Sequence, residues 1–310
     1  MNVLVTGGAG YVGCILCERL LAAGHQVWVV DNLMYGQHSL FQLCADPRFE
    51  FFFGDARDEE FMRRLIGKAD VLIPLAAIVG ATACNRDPWL ARSVNLEAIR
   101  LLDRLRSPRQ LVIFPTTNSG YGTKSGEVYC TEDTPLEPIS LYGQLKVQAE
   151  AELLAGEGVI SLRLATIFGF SNRMRLDLLV NNFVYEAVTQ GYIVIFQKDF
   201  KRNYVHVRDV ADCFLHCIEH AERMVGRAFN VGLDSANLSK EQLALKIKEY
   251  VPNFYIHFSE VGTDPDKRNY IVSNERLHEA GFEARRTLEV GIQELIKGYR
   301  MMLRRQFTNA

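Results

Sequence analysis

Apolar residues in the first half of the chain fall into short β-branched runs separated by stretches with helical spacing. Val3 to Thr6, Gln26 to Asp31, Phe49 to Gly54, Val71 to Leu75 and Leu111 to Pro115 read as strands, since short continuous apolar runs bounded by turn residues suit strands covered on both faces. Tyr11 to Ala23, Pro88 to Arg106 and Leu141 to Ala155 are apolar at helical spacing. This alternation predicts βαβ units on a parallel sheet. Val159 to Ala165 reads as one more buried strand, and it closes the regular series.

Beyond Phe168 the pattern loosens into loops and short strands, with helices expected over Leu178 to Gln190, Val210 to Glu222 and Ser239 to Tyr250. Ser239 suits an N-cap, because its hydroxyl can accept from a backbone N–H of the first turn. The expected organisation is a first domain over 1–167, with 205–222 returning to it, and a smaller substrate-holding lobe from 168–204 and 223–310.

Composition narrows the class of protein. The 310 residues are 48% hydrophobic and 23% charged with nine prolines, a globular balance with no low-complexity tract. A net charge of -2 argues against general affinity for nucleic acid or an anionic membrane, which needs a basic surface. The longest apolar runs are too short to span a bilayer and no charged-then-apolar leader precedes Asn2, so a cytoplasmic protein is expected. Seven scattered cysteines suggest reduced, buried thiols rather than a disulfide framework. Cys14 and Cys17 form a C-x-x-C pair, but no second pair stands at zinc spacing, so packing is the expected role and no metal is expected.

Gly7, Gly10 and Gly13 follow the first strand and open a helix. They allow a tight turn, close approach of backbone to a pyrophosphate, and close helix packing, with phosphate charge stabilised at the helix N-terminus. Asp31 ends the next strand, where a carboxylate accepts both hydroxyls of an adenosine ribose and repels a 2′-phosphate. The pattern predicts a doubly wound α/β fold of the Rossmann type that takes NAD rather than NADP. Asp55 after the third strand suits the adenine amino group as well as it suits a surface acid, and Leu75, Ala76 and Ala77 give small residues beside the cofactor.

Tyr142 and Lys146 stand i, i+4 on a predicted helix, so they share a face, and the lysine charge is expected to lower the tyrosine's pKa and make it a base. Upstream, Phe114-Pro115-Thr116-Thr117-Asn118-Ser119 ends a strand in small hydroxyl residues at the sheet edge where ligands of such folds bind. Thr117 can hold a substrate hydroxyl beside the tyrosine. His206, a lone histidine on a strand, reads as structural.

The stretch Thr6 to Gly13, Thr117, Tyr142-Gly-Gln-Leu-Lys146 and Asn95 resemble the extended short-chain dehydrogenase/reductases, specifically the NAD-dependent sugar-nucleotide epimerases and dehydratases. The resemblance implies that Tyr142 deprotonates a sugar hydroxyl, usually at C4, while hydride passes to NAD. It implies that Lys146 holds the ribose and that Asn95 supports a proton relay. Cofactor contacts are implied at Gly7, Gly10, Tyr11, Val12, Asp31, Asn32, Asp55, Ala56, Leu75, Ala76, Ala77, Tyr142 and Lys146. Substrate contacts are implied at Val79, Asn118, Ser119, Thr166, Arg173, Asn181, Asn182, Arg202 and Arg268, the Arg202 guanidinium suiting a diphosphate by its two-pronged geometry.

Dehydratases of the family follow the threonine with Asp-Glu, and decarboxylases place a glutamate two residues on; here Asn118 and Ser119 stand instead, leaving oxidation or epimerisation. Two more departures are Pro74 in place of a histidine, and no arginine over Val261 to Asp264, for which Arg268 substitutes. Thr116 to Gly122, Arg173 to Leu178 and Asp264 to Tyr270 resemble bacterial enzymes acting on nucleotide-activated heptoses. That implies oxidation of a GDP-heptose at C4, with NADH recycled by a 2-oxo acid; a 4-epimerase and a non-catalytic NAD-binding protein are the alternatives. A homodimer through helices 88–106 and 141–155 is implied as well.

Overall fold

The computed structural model describes residues 1–36, 38–124, 129–261 and 268–302. Its strands are β1 (Asn2–Thr6), β2 (Gln26–Asp31), β3 (Phe49–Phe53), β4 (Val71–Pro74), β5 (Leu111–Thr117), β6 (Tyr129–Cys130), β7 (Val159–Leu164), β8 (Thr166–Phe168), β9 (Tyr192–Phe196), β10 (Lys201–His206), β11 (Arg227–Val231), β12 (Asn237–Ser239), β13 (Tyr255–Ser259) and β14 (Ile271–Val272). Seven of them form a parallel sheet in the order β11-β7-β5-β4-β1-β2-β3. The order reverses between β1 and β4, the place where a crevice opens at the carboxyl ends of the strands in a doubly wound sheet.

The helices are α1 (Gly13–Ala22), α2 (Glu59–Ile66), α3 (Ala81–Arg86), α4 (Pro88–Arg92), α5 (Ala98–Leu105), α6 (Leu141–Leu154), α7 (Leu179–Thr189), α8 (Val207–Glu219), α9 (Ala221–Met224), α10 (Lys240–Tyr250), α11 (Glu275–Glu279) and α12 (Leu288–Met302). Successive strand residues feed opposite faces, as the twofold period of a strand requires. Val3, Val5 and Ile113 pack in one core with α1 and α8, whereas Leu4, Val112 and Phe114 pack in a second with α2, α5 and α6. The first core runs on without a break into α7, α10 and α12, so the lobe and the sheet share one interior.

Three expectations change. The helix foreseen over Pro88 to Arg106 is divided by a π-helical turn at Ser93–Glu97, a local widening that recurs at functional positions. β11, inside the stretch 223–310 assigned to the lobe, adds a seventh strand beside β7, with Phe229 level with Leu162. Residues 223–310 are therefore not all lobe. Within 205–222, Val205 and His206 pair with β8 in a separate three-stranded sheet, and it is α8 that returns, packing on α1. Ser239 caps α10 with a reciprocal bond from Gln242, as its position suggested. All seven cysteines are free, and Cys14 and Cys17 lie buried inside α1. No helix among the described residues is long and apolar enough to cross a membrane.

Candidate active site

A cleft of about 410 Å³ opens over the carboxyl ends of β1, β2 and β4. Its floor is the glycine turn. Gly7 has φ 72°, and a Cβ there would lie 2.5 Å from the Ala76 nitrogen, so only glycine lets β1 turn this close to the end of β4. At Gly13 a Cβ would meet the Gly8 Cα at 2.6 Å, which is why the start of α1 can press against the turn. Gly10, Tyr11 and Val12 present the N-terminus of α1 to the cleft, where first-turn N–H groups lack helical partners and suit a pyrophosphate. Asp31 lines the same cleft and accepts from the N–H groups of Ala9 at 3.0 Å and Leu33 at 2.9 Å. A carboxylate has about four acceptor positions, so it keeps capacity for two ribose hydroxyls. Asn32, Ala56, Leu75, Ala76, Ala77 and Val79 line the cleft too. Together these residues fit a dinucleotide. Asp55 lines it while held in a fork by Arg57, at 2.9 and 2.7 Å, and this contact keeps its carboxyl below the usual range.

The other wall is α6. Ser140 caps it by accepting from the Gly143 N–H at 3.1 Å, a contact of about 1 kcal/mol that fixes where the helix starts and hence which residues face the sheet. Tyr142 and Lys146 both reach the cleft, and Glu150, one turn further, takes Arg163 in a buried ion pair at 2.6 Å. Lys146 is buried, with Nζ 3.9 Å from the centre of the Phe114 ring.

The electrostatics differ from the expectation. Burial pushes the Tyr142 phenol up to about 12, and burial brings Lys146 down to about 7 despite the Glu150 charge. A lysine without a carboxylate in contact is a poor ammonium in such surroundings. The positive charges that act on Tyr142 are Arg175 and Arg268.

The substrate side is only partly assembled as foreseen. Thr117 ends β5, but its hydroxyl bonds Ser119 Oγ at 2.9 Å and accepts from the Ser119 N–H at 3.1 Å; it is Thr116 that lines the cleft. Arg268 donates to Ser119 Oγ, which brings the late arginine to the turn after β5; residues 262–267, from the stretches Val261 to Asp264 and Asp264 to Tyr270, lie outside the described residues. The Asn118 amide is buried with no hydrogen-bond partner among the described residues, and Asn118 does not line the cleft. Asn95 lies in the π turn and grips both backbone groups of Ile78, each at 2.8 Å, so it fixes the loop after β4 rather than facing the cleft. Asn181 is fully buried, accepting from Gly169 N–H and donating to Tyr11 Oη and the Arg175 carbonyl; it holds the site together and does not project into it. Asn182 stands beside it on α7, Thr166 begins β8, and neither lines the cleft. Arg173 does line it, stacked over the Tyr35 ring at 4.6 Å. Arg202 is buried on β10 over Tyr270, 5.7 Å from its ring centre. Arg175, Asp177 and Leu178 complete the wall. In the sequence, nothing in their spacing separates Arg175 from the other charges around it.

The description "NAD dependent epimerase/dehydratase family" belongs to a family model that matches residues 3–232. A UDP-glucose 4-epimerase of Mycolicibacterium smegmatis is 32% identical over 254 residues, covering 78% of this chain and 80% of that one. A crystal structure of a Thermotoga maritima UDP-glucose 4-epimerase with UDP-glucose superposes with a TM-score of 0.83 at 26% identity, covering 98% of this chain and 100% of that one. The NAD complex of a Bacillus anthracis dTDP-glucose 4,6-dehydratase has a TM-score of 0.84 at 22% identity, over 97% of both chains, a likeness of fold.

Proposed function

Because the chain belongs to the NAD dependent epimerase/dehydratase family, we propose that it oxidises the C4 hydroxyl carbon of a nucleotide-activated sugar with Tyr142 as the base. The observation that supports this is the opening of Tyr142 and Lys146 into the same cleft as the glycine turn and Asp31. NAD, when bound, supplies the hydride acceptor. Tyr142 takes the hydroxyl proton; Lys146, buried beside it, holds the ribose of the cofactor. Ser119, bonded to both Thr117 and Arg268, and Asn118 orient the sugar. Arg268 and Arg202 carry charge suited to the diphosphate.

The absence of a carboxylate at Asn118 and Ser119 supports oxidation without loss of water or carbon dioxide. On this reading the substrate is a GDP-heptose, the product its 4-keto sugar, and a 2-oxo acid reoxidises the cofactor. The protein works as a cytoplasmic homodimer through 88–106 and 141–155. A second reading, a 4-epimerase, is favoured by the names of the relatives. Incubation with GDP-heptose and 2-oxoglutarate, with mass analysis, is expected to yield a sugar nucleotide two hydrogens lighter. Recovery of only a C4 epimer, from this substrate or from UDP-glucose, would establish the second reading. Tyr142→Phe is expected to abolish turnover with NAD still bound.

A further inference from the structure

Arg175 sits in the loop ahead of α7 with most of its side chain covered, 18% exposed. It is held from two sides. Asp177 engages the guanidinium, with Nε 3.1 Å from Oδ1 and a second contact from Nη2. Its own carbonyl accepts from Asn181 Nδ2 at 3.0 Å, and Asn181 is fixed in turn by Gly169 and Tyr11. An arginine anchored at both backbone and fork has little freedom to leave the wall of the cleft, where it stands with Tyr142 and Lys146.

We infer that Arg175 is a positioning residue for Tyr142, its fixed guanidinium stabilising the phenolate form of the base. This rests on Tyr142 being the base. The groups that act on the phenol come from three elements: Arg175 from the loop before α7, Arg268 from the segment before β14 and Cys84 from α3, while Lys146, one turn along α6, lines the same cleft. Of these, Arg175 is the largest influence favouring the anion, and Cys84 opposes it. Arg175 itself is faced by Asp177, Tyr142 and Tyr11 and lies close to Arg173. The exposed Asp177 neutralises part of the arginine's charge but fixes its direction. Lys146, lowered to about 7 by burial, is left free for the cofactor ribose. The division of labour is therefore between a lysine that binds and an arginine that tunes.

The test reads the phenol directly, without a substrate. The NAD-bound protein is labelled with 3,5-difluorotyrosine, whose phenol is more acidic than that of tyrosine, and the Tyr142 fluorine resonance is assigned by its loss in Tyr142→Phe. Arg175→Gln is expected to raise the Tyr142 midpoint by on the order of one pH unit, a tenfold loss of phenolate below it. Arg175→Lys, which keeps the charge, should restore most of the shift. Should Gln at this position fail to fold, Arg175→Met supplies the neutral variant with its stem packed. An unmoved midpoint in the neutral variant would deny the influence of Arg175 on the phenol, and an equal shift in Arg175→Lys would deny that charge is what acts; either overturns the inference. Loss of turnover in Tyr142→Phe is a separate measurement, so failure here leaves the assignment of the base standing or falling by itself.

Discussion

Glu150 and Arg163 form a buried fork directly below Lys146. The carboxylate accepts from Arg163 Nη2 at 2.6 Å and Nε at 3.0 Å, and its other oxygen accepts from Ser161 at 2.7 Å. Arg163 also donates to the Tyr121 hydroxyl and to the Glu132 carbonyl, which ties α6 and β7 to the turn that follows Thr117. Breaking a buried pair from one side strands the other charge, at about 3–5 kcal/mol. Glu150→Leu alone and Arg163→Met alone are thus each expected to lose that much stability, while the two together recover most of it. Urea denaturation of the two single variants and the double variant checks the coupling, and additive losses would exclude it.

The expectations that held are those with local causes. The β1 turn is written in Gly7, Gly10 and Gly13, and the shared face of α6 in the spacing of Tyr142 and Lys146. Those that changed have tertiary causes. The five residues of β11 resemble any short buried run, and only the open edge of β7 makes them the seventh strand. Asn181 carries a side chain that suits a phosphate, yet Tyr11 and Gly169 converge on it and consume its amide. Spacing puts Lys146 on the same helix face as Tyr142, but how deeply both are buried is decided by Phe114 and the opposite wall.

The first turn should tolerate no side chain. At Gly7, an added methyl meets the Ala76 nitrogen at 2.5 Å and the Leu75 carbonyl carbon at 2.9 Å, on a backbone with φ 72°. The obstacle is backbone, so neither neighbour can rotate away. Gly7→Ala is expected to cost about 2–3 kcal/mol from overpacking and strain and to abolish NAD retention, because relief requires the turn to separate from β4. A thermal melt with and without NAD checks both; stabilisation by NAD equal to the parent's would contradict the close approach.

Asp31 should govern which dinucleotide binds. Its carboxylate already fixes the turn through Ala9 and Leu33, and its remaining acceptor positions face the cleft. Asp31→Ser is expected to weaken NAD binding at least about tenfold, or about 1.4 kcal/mol, and to narrow the preference over NADP by removing the repulsion of a 2′-phosphate. Fluorescence titration with NADH and NADPH gives both constants. Parallel losses for the two cofactors would mean that Asp31 serves the turn alone.

Lys146 gives the protein a pH signature. Its pKa is lowered from 10.5 to about 7 in the folded chain by burial. The unfolded chain therefore binds the extra proton between those limits, and stability rises with pH across that window. Below about pH 7 both states are charged and the penalty is complete; near pH 10.5 it has vanished. Lys146→Met removes the buried ammonium, so cofactor-free protein carrying it should be more stable than the parent at about pH 7 by on the order of a few kcal/mol, while losing activity. The gap should close steadily as pH approaches 10, since the parent's lysine sheds its proton and the methionine has none to shed. Urea midpoints of the two proteins measured across this range decide the matter: a gap that stays constant with pH would show that Lys146 keeps its ammonium in the fold, and that the Phe114 ring and Glu150 together offset its burial.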